Sequence, residues 1–323
     1  MRILVLGGTQ FVGRHTVEAA LERGHDVTLF NRGQTRPELF PEVEKLRGDR
    51  DGDVGALRGR DFDAVVDTSG YVPRIVRETI EALGEVGHYT FVSSISVYDL
   101  SEPVTEASPV KTLEEETEEV TGESYGPLKA RCEDVVRERF RGAFVVRPGL
   151  ITGAWDPTGR FTYWPVRIAD GGRTLAPAPP ERPVQIIDAR DLGAWIVAAA
   201  ERRLAGTFNA ISPPFPLVEL LETCKRVAES DAEFVWVDPD FLVEHEVGEW
   251  MELPLWLHDP AYASMLAIDP AAAFAAALET RPLAETVRDT LEWVRSGDAP
   301  IEPPAGLARE KEQQVLDAWL SKR

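Results

Sequence analysis

The chain has 323 residues, which is long enough for two domains with buried cores. Its 35 Lys and Arg residues against 55 Asp and Glu residues leave a net charge of −20, which argues against binding to nucleic acid. The two cysteines are too few for a disulfide framework or a cysteine-based zinc site, and no apolar run approaches the roughly 20 residues that span a bilayer. The densest acidic run, 114–119, predicts a solvated surface rather than a metal site. We therefore expect a cytoplasmic protein with no membrane partner, no nucleic-acid partner and no metal.

Short apolar runs alternate with helical stretches through the first half of the chain. The sequence predicts strands at 3–6, 27–30, 64–67, 89–93 and 143–147, and helices at 13–23, 73–83 and 128–140. Such alternation, with strands that are apolar throughout, is typical of a parallel sheet covered by helices on both faces. Right-handed crossovers then bring the carboxyl ends of the strands to one edge, where ligands bind. The predicted fold class is therefore α/β, with a doubly wound Rossmann sheet.

The composition changes after Pro148, where Pro, Gly and Trp become frequent. The segment 176–180 (Ala-Pro-Ala-Pro-Pro) predicts a rigid extended connector, and helices are predicted at 217–229, 270–278, 283–295 and 307–319. We predict a dinucleotide-binding domain from 1–152 and about 184–212, and a smaller, mainly helical substrate-binding domain from about 153–183 and 213–323. The helical tail after Pro304 fits either against its own domain or against a second copy of the chain, so a homodimer is one expectation.

The residues between the first predicted strand and the first predicted helix form a glycine-rich run, Gly7-Gly8-Thr9-Gln10-Phe11-Val12-Gly13. Glycine allows the backbone to turn tightly and to approach a pyrophosphate, whose charge is stabilised at a helix N-terminus. Gln10 replaces the usual middle glycine, so the run on its own also fits a structural turn. Its place directly after the first strand favours dinucleotide binding, and the predicted contacts are Gly7, Thr9, Gln10, Phe11, Val12 and Gly13.

The end of the second predicted strand bears on the choice of dinucleotide. An NAD site typically carries Asp or Glu there, to hold the ribose hydroxyls. This chain has the neutral Asn31 and the cationic Arg32, and an arginine offers a flat donor fork for a 2′-phosphate. We predict NADP(H) over NAD(H), the alternative being that Arg32 is a solvated loop residue. Asp49 follows Gly48 at a place where such folds often contact the adenine.

Tyr125 and Lys129 are four residues apart, which puts them on one face of a helix. The lysine charge then lowers the phenol pKa from about 10, and the phenol can take or give a proton while hydride moves. A surface tyrosine is the alternative until the surrounding sequence is considered. The strand 89–93 ends in Ser93 and is followed by Ser94, and such hydroxyls serve either as turn caps or as hydrogen-bond partners of a substrate oxygen.

These motifs and their order resemble the extended short-chain dehydrogenase/reductase family, also called the NAD-dependent epimerase/dehydratase family. The resemblance covers about residues 1–212 and rests on the loop at 6–13, the strand end at 93–98, the Tyr125 and Lys129 pair, Arg147-Pro148-Gly149, the segment 185–192 and Gly206-Thr207-Phe208-Asn209. It implies that Ser94 orients the substrate, that Tyr125 is the acid/base and that Lys129 is its electrostatic partner. By the same resemblance, Tyr125 and Lys129 also contact the cofactor.

The resemblance implies an NAD(P)-dependent reductase or epimerase that acts on a sugar-like or nucleotide-linked hydroxyl or ketone. Ile95 and Ser96 occupy the places of the Asp-Glu pair of the 4,6-dehydratases, which argues against dehydratase chemistry. The expected substrate is a small molecule such as a nucleotide sugar, whose diphosphate could meet any of four arginines, Arg160, Arg167, Arg173 and Arg182. Two alternatives on the same fold remain. One is a dinucleotide-sensing regulator without turnover, and the other is an RNA-binding protein, since the Gly-Gly-Thr form of the loop resembles that of chloroplast stem-loop RNA-binding proteins.

Overall fold

The computed structural model describes residues 1–100, 104–299 and 304–322. The strands are β1 (Arg2–Leu6), β2 (Asp26–Asn31), β3 (Glu44–Arg47), β4 (Ala64–Asp67), β5 (Tyr89–Val92), β6 (Phe144–Pro148), β7 (Ile151–Thr152), β8 (Arg173–Pro177), β9 (Pro183–Val184), β10 (Ile187–Asp188), β11 (Gly206–Ala210), β12 (Phe215–Pro216) and β13 (Glu233–Val237). The helices are α1 (Phe11–Glu22), α2 (Pro73–Ala82), α3 (Tyr125–Arg139), α4 (Tyr163–Ala169), α5 (Ala189–Arg202), α6 (Leu217–Ala228), α7 (Pro239–Glu244), α8 (Ala271–Ala275), α9 (Leu283–Arg295) and α10 (Arg309–Ser321). None of the helices within the described ranges is both long and apolar enough to cross a bilayer.

Seven parallel strands form the main sheet, in the order β11-β6-β5-β4-β1-β2-β3. Every residue of β4, β5 and β6 is buried, as expected where helices cover both faces of a sheet. Helix α1 packs on α5, and α2 packs on α3. The chain runs outward from β1 to β2 and β3 on one side, and β4 lies on the other side of β1, so the strand order reverses at this point. Ligands bind at the carboxyl ends of strands beside such a reversal. The predicted doubly wound Rossmann fold is confirmed.

The chain divides into two compact units. The first contains Met1–Gly149, Ala189–Ile211 and Ile268–Glu279, and the second contains Leu150–Asp188, Ser212–Ala267 and Thr280–Arg323. The return of Ile268–Glu279 to the first unit is held by hydrogen bonds to its backbone carbonyls. The Asn209 amide donates to Asp269 O at 3.1 Å. The Trp195 indole donates to Ala276 O at 3.1 Å.

This division differs from the sequence-based one at three places. The sequence-based domains kept 213–323 together, whereas Ile268–Glu279 joins the first unit. They also placed 150–152 and 184–188 in the first domain, whereas both lie in the second unit. The physical reason is that β7 and β10 pair with each other, through Ile187 opposite Ile151, and not with the seven-stranded sheet.

The second unit has its own core, built around Trp164 and Trp256. Helices α4, α6 and α9 pack on one another, and β8 pairs in parallel with β13. Two features differ from the prediction. Residues 176–177 belong to β8 rather than to an extended connector, and β13 lies in a region predicted to be mainly helical. Its residues 234–237 are Phe-Val-Trp-Val, and aromatic and β-branched side chains favour a strand once a partner such as β8 is present.

Candidate active site

The loop after β1 turns through Gly7 and Gly8, whose φ angles of +109° and +91° lie in the region that favours glycine. An added Cβ at Gly13 would lie 2.8 Å from the Gly8 nitrogen, so the first turn of α1 packs directly on the loop backbone. Gln10 precedes α1, and its side chain makes no cap hydrogen bond with the first N–H groups of the helix. This geometry fits a dinucleotide pyrophosphate. The other predicted contacts differ in exposure, with Gln10 exposed, Phe11 half-buried, and Thr9 and Val12 buried.

Asn31, at the end of β2, connects this loop to the edge of the sheet. Its Nδ2 donates to Gly7 O at 2.9 Å, and its Oδ1 accepts from the Arg47 guanidinium, which stands opposite it on β3. Within the described ranges, Arg47 has no carboxylate partner, and Arg32 reaches only Asp49, at 3.9 Å between two exposed side chains. The end of β2 therefore has two arginines near it, Arg32 and Arg47, together with the neutral amide of Asn31. Sequence reasoning identified only Arg32.

Asp49 belongs to the turn after β3. Its Oδ1 accepts from Asp51 N at 3.1 Å, and its backbone carbonyl accepts from Asp53 N at 2.9 Å. The structure thus gives Asp49 a role in holding this turn. Its contact with an adenine stays a prediction.

A buried ion pair that sequence reasoning missed joins Arg50, in this turn, to Asp67 at the end of β4. Two guanidinium nitrogens of Arg50 donate to the two Asp67 oxygens at 2.6 and 2.8 Å, and the Tyr89 hydroxyl donates to Asp67 at 3.0 Å. Burial by itself favours the neutral acid, but the charge and hydrogen bonds of Arg50 outweigh it and hold the Asp67 pKa below its usual value. The pair fixes the loop after β4, because Ser69 N also donates to Asp67, at 3.1 Å.

Lys129 lies on α3 with 2% of its surface exposed. Its ammonium donates to Gly70 O at 2.7 Å and to Val92 O at 2.6 Å, so it ties α3 to the loop after β4 and to the last residue of β5. The ring centres of Phe91 and Tyr71 lie 4.3 and 5.2 Å from the nitrogen. Burial is the largest influence on the Lys129 pKa and lowers it to about 8. At neutral pH this buried side chain is therefore mostly charged, with backbone carbonyls as its hydrogen-bond acceptors.

Tyr125 is the first residue of α3, and its half-buried ring lies 6.3 Å from the ring of Tyr71, centre to centre. The next residue, Gly126, allows the start of α3 to pack closely against the turn after β5, because an added Cβ there would overlap with Ser96 O. In that turn the Ser94 hydroxyl accepts from Ser96 N and donates to the Ser96 hydroxyl, both at 3.1 Å. The structure thus brings the start of α3 against the turn that carries Ser94. The catalytic roles of Ser94, Tyr125 and Lys129 stay predictions.

Glu133 lies one helical turn beyond Lys129 and is 1% exposed. Its Oε1 accepts from the Ser93 hydroxyl at 2.5 Å, and the Arg147 guanidinium donates to its two oxygens at 2.9 and 2.6 Å. Burial opposes ionisation, but the hydrogen bonds and charge of Arg147 prevail and hold the Glu133 pKa below its usual value. The ion pair of Glu133 and Arg147 therefore joins α3 to β6. Ser93, which directly precedes Ser94, is held to this pair by its hydroxyl.

The four arginines predicted as candidates for a diphosphate lie in the second unit and differ in their partners. Arg167 is buried against Glu312, with 2.7 Å between Nε and Oε2, so it holds α4 to α10 and is no longer a candidate. Arg160 donates to a threonine hydroxyl and lies over a tryptophan ring, and Arg173 is exposed. Arg182 is half-buried and donates to two backbone carbonyls, and burial lowers its pKa.

Residues 3–210 match the model of the NAD dependent epimerase/dehydratase family. One curated relative is the chloroplast stem-loop binding protein of 41 kDa b from Arabidopsis thaliana, 32% identical over an alignment of 113 positions, with 30% of this chain and 30% of that protein covered. Another is the UDP-glucose 4-epimerase of Erwinia amylovora, 28% identical over an alignment of 170 positions, with 43% of this chain and 48% of that protein covered. The chain thus spans less than half the length of either relative in these matches. Among solved structures, WbmH of Bordetella bronchiseptica in complex with NAD⁺ aligns with a TM-score of 0.66 and 18% identity over 92% of this chain and 99% of that chain, which shows a shared fold.

Proposed function

Because the chain belongs to the NAD dependent epimerase/dehydratase family, we propose that it is an oxidoreductase or epimerase that uses a nicotinamide dinucleotide. The observation that carries this proposal is the buried Lys129 ammonium, which donates to two backbone carbonyls close to the ring of Tyr71, and the Tyr71 ring in turn lies beside that of Tyr125. A buried charge costs folding free energy, and such groups with shifted pKa values concentrate at functional sites. The proposed substrate is a sugar-like or nucleotide-linked hydroxyl or ketone, in keeping with the UDP-glucose 4-epimerase among the relatives.

The loop from Gly7 to Gly13 is proposed to hold the pyrophosphate of the cofactor, and Asn31, Arg32 and Arg47 are proposed to contact its adenosine ribose. A bound nicotinamide dinucleotide supplies hydride transfer to or from a substrate carbon. Two guanidinium groups beside a neutral amide suit a 2′-phosphate, whereas ribose hydroxyls are usually held by Asp or Glu. NADP(H) is therefore the proposed cofactor.

Wild-type protein should bind NADPH at least about tenfold more tightly than NADH, because a hydrogen bond to a charged group is worth about 1.5–3 kcal/mol. Removing either guanidinium, in Arg32→Ala or Arg47→Ala, should weaken NADPH binding by about tenfold or more and leave NADH binding nearly unchanged. Isothermal titration calorimetry measures each constant. Arg58→Ala is the matched control, since it removes an exposed arginine from the same unit. Equal affinities of the wild type for the two dinucleotides would contradict the preference.

Tyr125 is the proposed proton-transfer residue, and Ser94 is proposed to hold the reacting oxygen by a hydrogen bond. Lys129 stands one turn further along the same face of α3, so its ammonium favours the phenolate form of Tyr125. When a substrate hydroxyl is oxidised, its proton passes to the Tyr125 oxygen. When a carbonyl is reduced, the phenol returns a proton to the carbonyl oxygen. Lys129 and Glu133 fix α3 against the ends of the strands, which limits the motion of the donor groups.

The reaction is tested with protein loaded with NADP(H) or NAD(H) and a set of nucleotide sugars, namely UDP-glucose, UDP-N-acetylglucosamine and UDP-glucuronic acid, together with their keto derivatives. A reductase should consume reduced cofactor in proportion to product, whereas an epimerase should invert a sugar carbon with no net change in cofactor. Absorbance of the reduced cofactor and NMR spectra of the sugar separate these outcomes. Protein that binds the dinucleotide and turns over none of the set would favour the dinucleotide-sensing regulator.

RNA binding is the alternative with less support. The Arabidopsis thaliana relative is named a stem-loop binding protein, but its match covers 30% of each chain. The net charge of −20 opposes binding to a phosphate backbone, which proteins usually meet with a basic surface. Retention of a labelled stem-loop RNA at physiological salt, weakening steeply as salt is raised, would favour this alternative.

A further inference from the structure

The loop between β4 and α2 places an exposed tyrosine at the candidate site. Tyr71 is 45% exposed, whereas the adjacent Lys129 is buried. The loop is fixed on both sides of Tyr71, because Gly70 O accepts from Lys129 Nζ at 2.7 Å and α2 begins at Pro73. An added Cβ at Gly70 would lie 2.6 Å from the Phe91 ring, so the loop also packs closely on β5. The Tyr71 side chain is therefore exposed on a loop whose backbone is held in place.

The contacts of the Tyr71 side chain leave much of it free. Its ring centre lies 5.2 Å from Lys129 Nζ and 6.3 Å from the ring centre of Tyr125. In the part of the chain that the structure describes, its hydroxyl has no hydrogen-bond partner. Partial burial, followed by the charge of Asp67, raises the phenol pKa, so the hydroxyl is protonated at neutral pH and able to donate.

This combination suits one class of ligand. Small-molecule sites are lined by aromatic side chains with a few polar groups that fix orientation. A pyranose has an apolar C–H face and a rim of hydroxyl oxygens, and a tyrosine offers both a ring face and a donor hydroxyl. Because Tyr71 lies beside Tyr125, a sugar packed on it would be close to the proposed proton-transfer group.

We propose that Tyr71 is a specificity-determining substrate contact, whose ring packs on the apolar face of a substrate pyranose and whose hydroxyl donates to a sugar oxygen. This inference rests on the proposed function, which supplies the sugar class. It adds a residue that the catalytic motifs do not contain, and it assigns Tyr71 to the substrate rather than to the dinucleotide.

The test is equilibrium binding of UDP-glucose, UDP-N-acetylglucosamine and UDP-glucuronic acid to NADPH-loaded protein, a state with no hydride acceptor for these alcohols. Tyr71→Phe keeps the ring and should weaken binding by about two- to tenfold, the range for a lost neutral hydrogen bond. Tyr71→Leu also removes the ring and should weaken binding by more than about tenfold. Both variants should keep the wild-type NADPH affinity and thermal unfolding midpoint.

The outcomes separate this inference from the proposed function. Wild-type sugar affinity in Tyr71→Leu would overturn the contact and leave the proposed function standing. If the wild type binds NADPH but none of the three nucleotide sugars, the sugar class of the proposed function fails, and the role of Tyr71 fails with it. A loss of NADPH affinity in Tyr71→Leu would assign the side chain to the cofactor and likewise overturn the inference.

Discussion

Replacing Tyr125 with phenylalanine should lower turnover by about 10²–10⁴-fold, the usual contribution of general acid–base catalysis. The change removes one oxygen and keeps the ring, which lies 6.3 Å from the ring of Tyr71. The close packing at Gly126 and the hydrogen bonds of Lys129 still anchor α3, so folding and dinucleotide binding should persist. Steady-state kinetics on a nucleotide sugar that the protein turns over gives kcat and KM, and calorimetry gives the dinucleotide affinity.

Tyr163→Phe is the matched control for this loss of a phenol oxygen. The Tyr163 hydroxyl is buried in the second unit and has no hydrogen-bond partner among the described residues, so its removal should leave turnover at the wild-type rate. A Tyr125→Phe enzyme as fast as the wild type would remove Tyr125 from the proposed mechanism. It would also strengthen the case for a regulator that binds the dinucleotide without turnover.

The central strands could be predicted from the sequence because they are mainly apolar. Strands β1, β2, β4, β5 and β6 lie within one residue of their predicted bounds at either end, as burial on both faces of the sheet favours apolar side chains at most positions. β3 was missed, since Glu44, Lys45 and Arg47 are polar and only Leu46 is buried. An edge strand with one buried side chain has no hydrophobic pattern to detect.

Because β3 was not predicted, part of the candidate site could not be predicted either. Arg47 reaches the end of β2 because the β2–β3 register places it opposite Asn31, and this register is invisible without β3. Arg50 lies in the turn after β3 and Asp67 is the last residue of β4, so their pairing depends on how the sheet brings these two segments together. Contacts of this kind follow from tertiary structure, so spacing along the chain gives no signal for them.

Local motifs could be recognised in the sequence, but their tertiary contacts could not. The spacing of Tyr125 and Lys129 fixes their common face on α3, and it says nothing about the carbonyls that hold the ammonium, which come from Gly70 and Val92 on other elements. Tyr71 follows the carboxyl end of β4, a place that matters in a doubly wound sheet. Its sequence surroundings carry no motif, so the topology had to be known first.

Replacing Glu133 with alanine should destabilise the first unit by about 3–5 kcal/mol, the usual cost of leaving a buried charge without its partner. The change removes the acceptor of the Arg147 guanidinium and of the Ser93 hydroxyl, both of which are buried. Urea unfolding measures the loss. Glu138→Ala is the matched control on the same helix, because that carboxylate is 62% exposed and pairs with Arg77 at 3.1 Å, and such surface pairs are worth about 0–1 kcal/mol.

The reactivity of two buried cysteines shows which part of the protein the Glu133→Ala change destabilises. Cys132 lies on α3 next to Glu133, and Cys224 lies on α6 in the second unit. A buried thiol reacts only when its surroundings open, so a loss of about 3–5 kcal/mol should speed the labelling of Cys132 by about 10²- to 4 × 10³-fold in Glu133→Ala. Cys224 should keep its wild-type rate. Equal acceleration at both cysteines would mean that Glu133 stabilises the whole chain rather than α3, and an unchanged rate at Cys132 would mean that Arg147 is satisfied without Glu133.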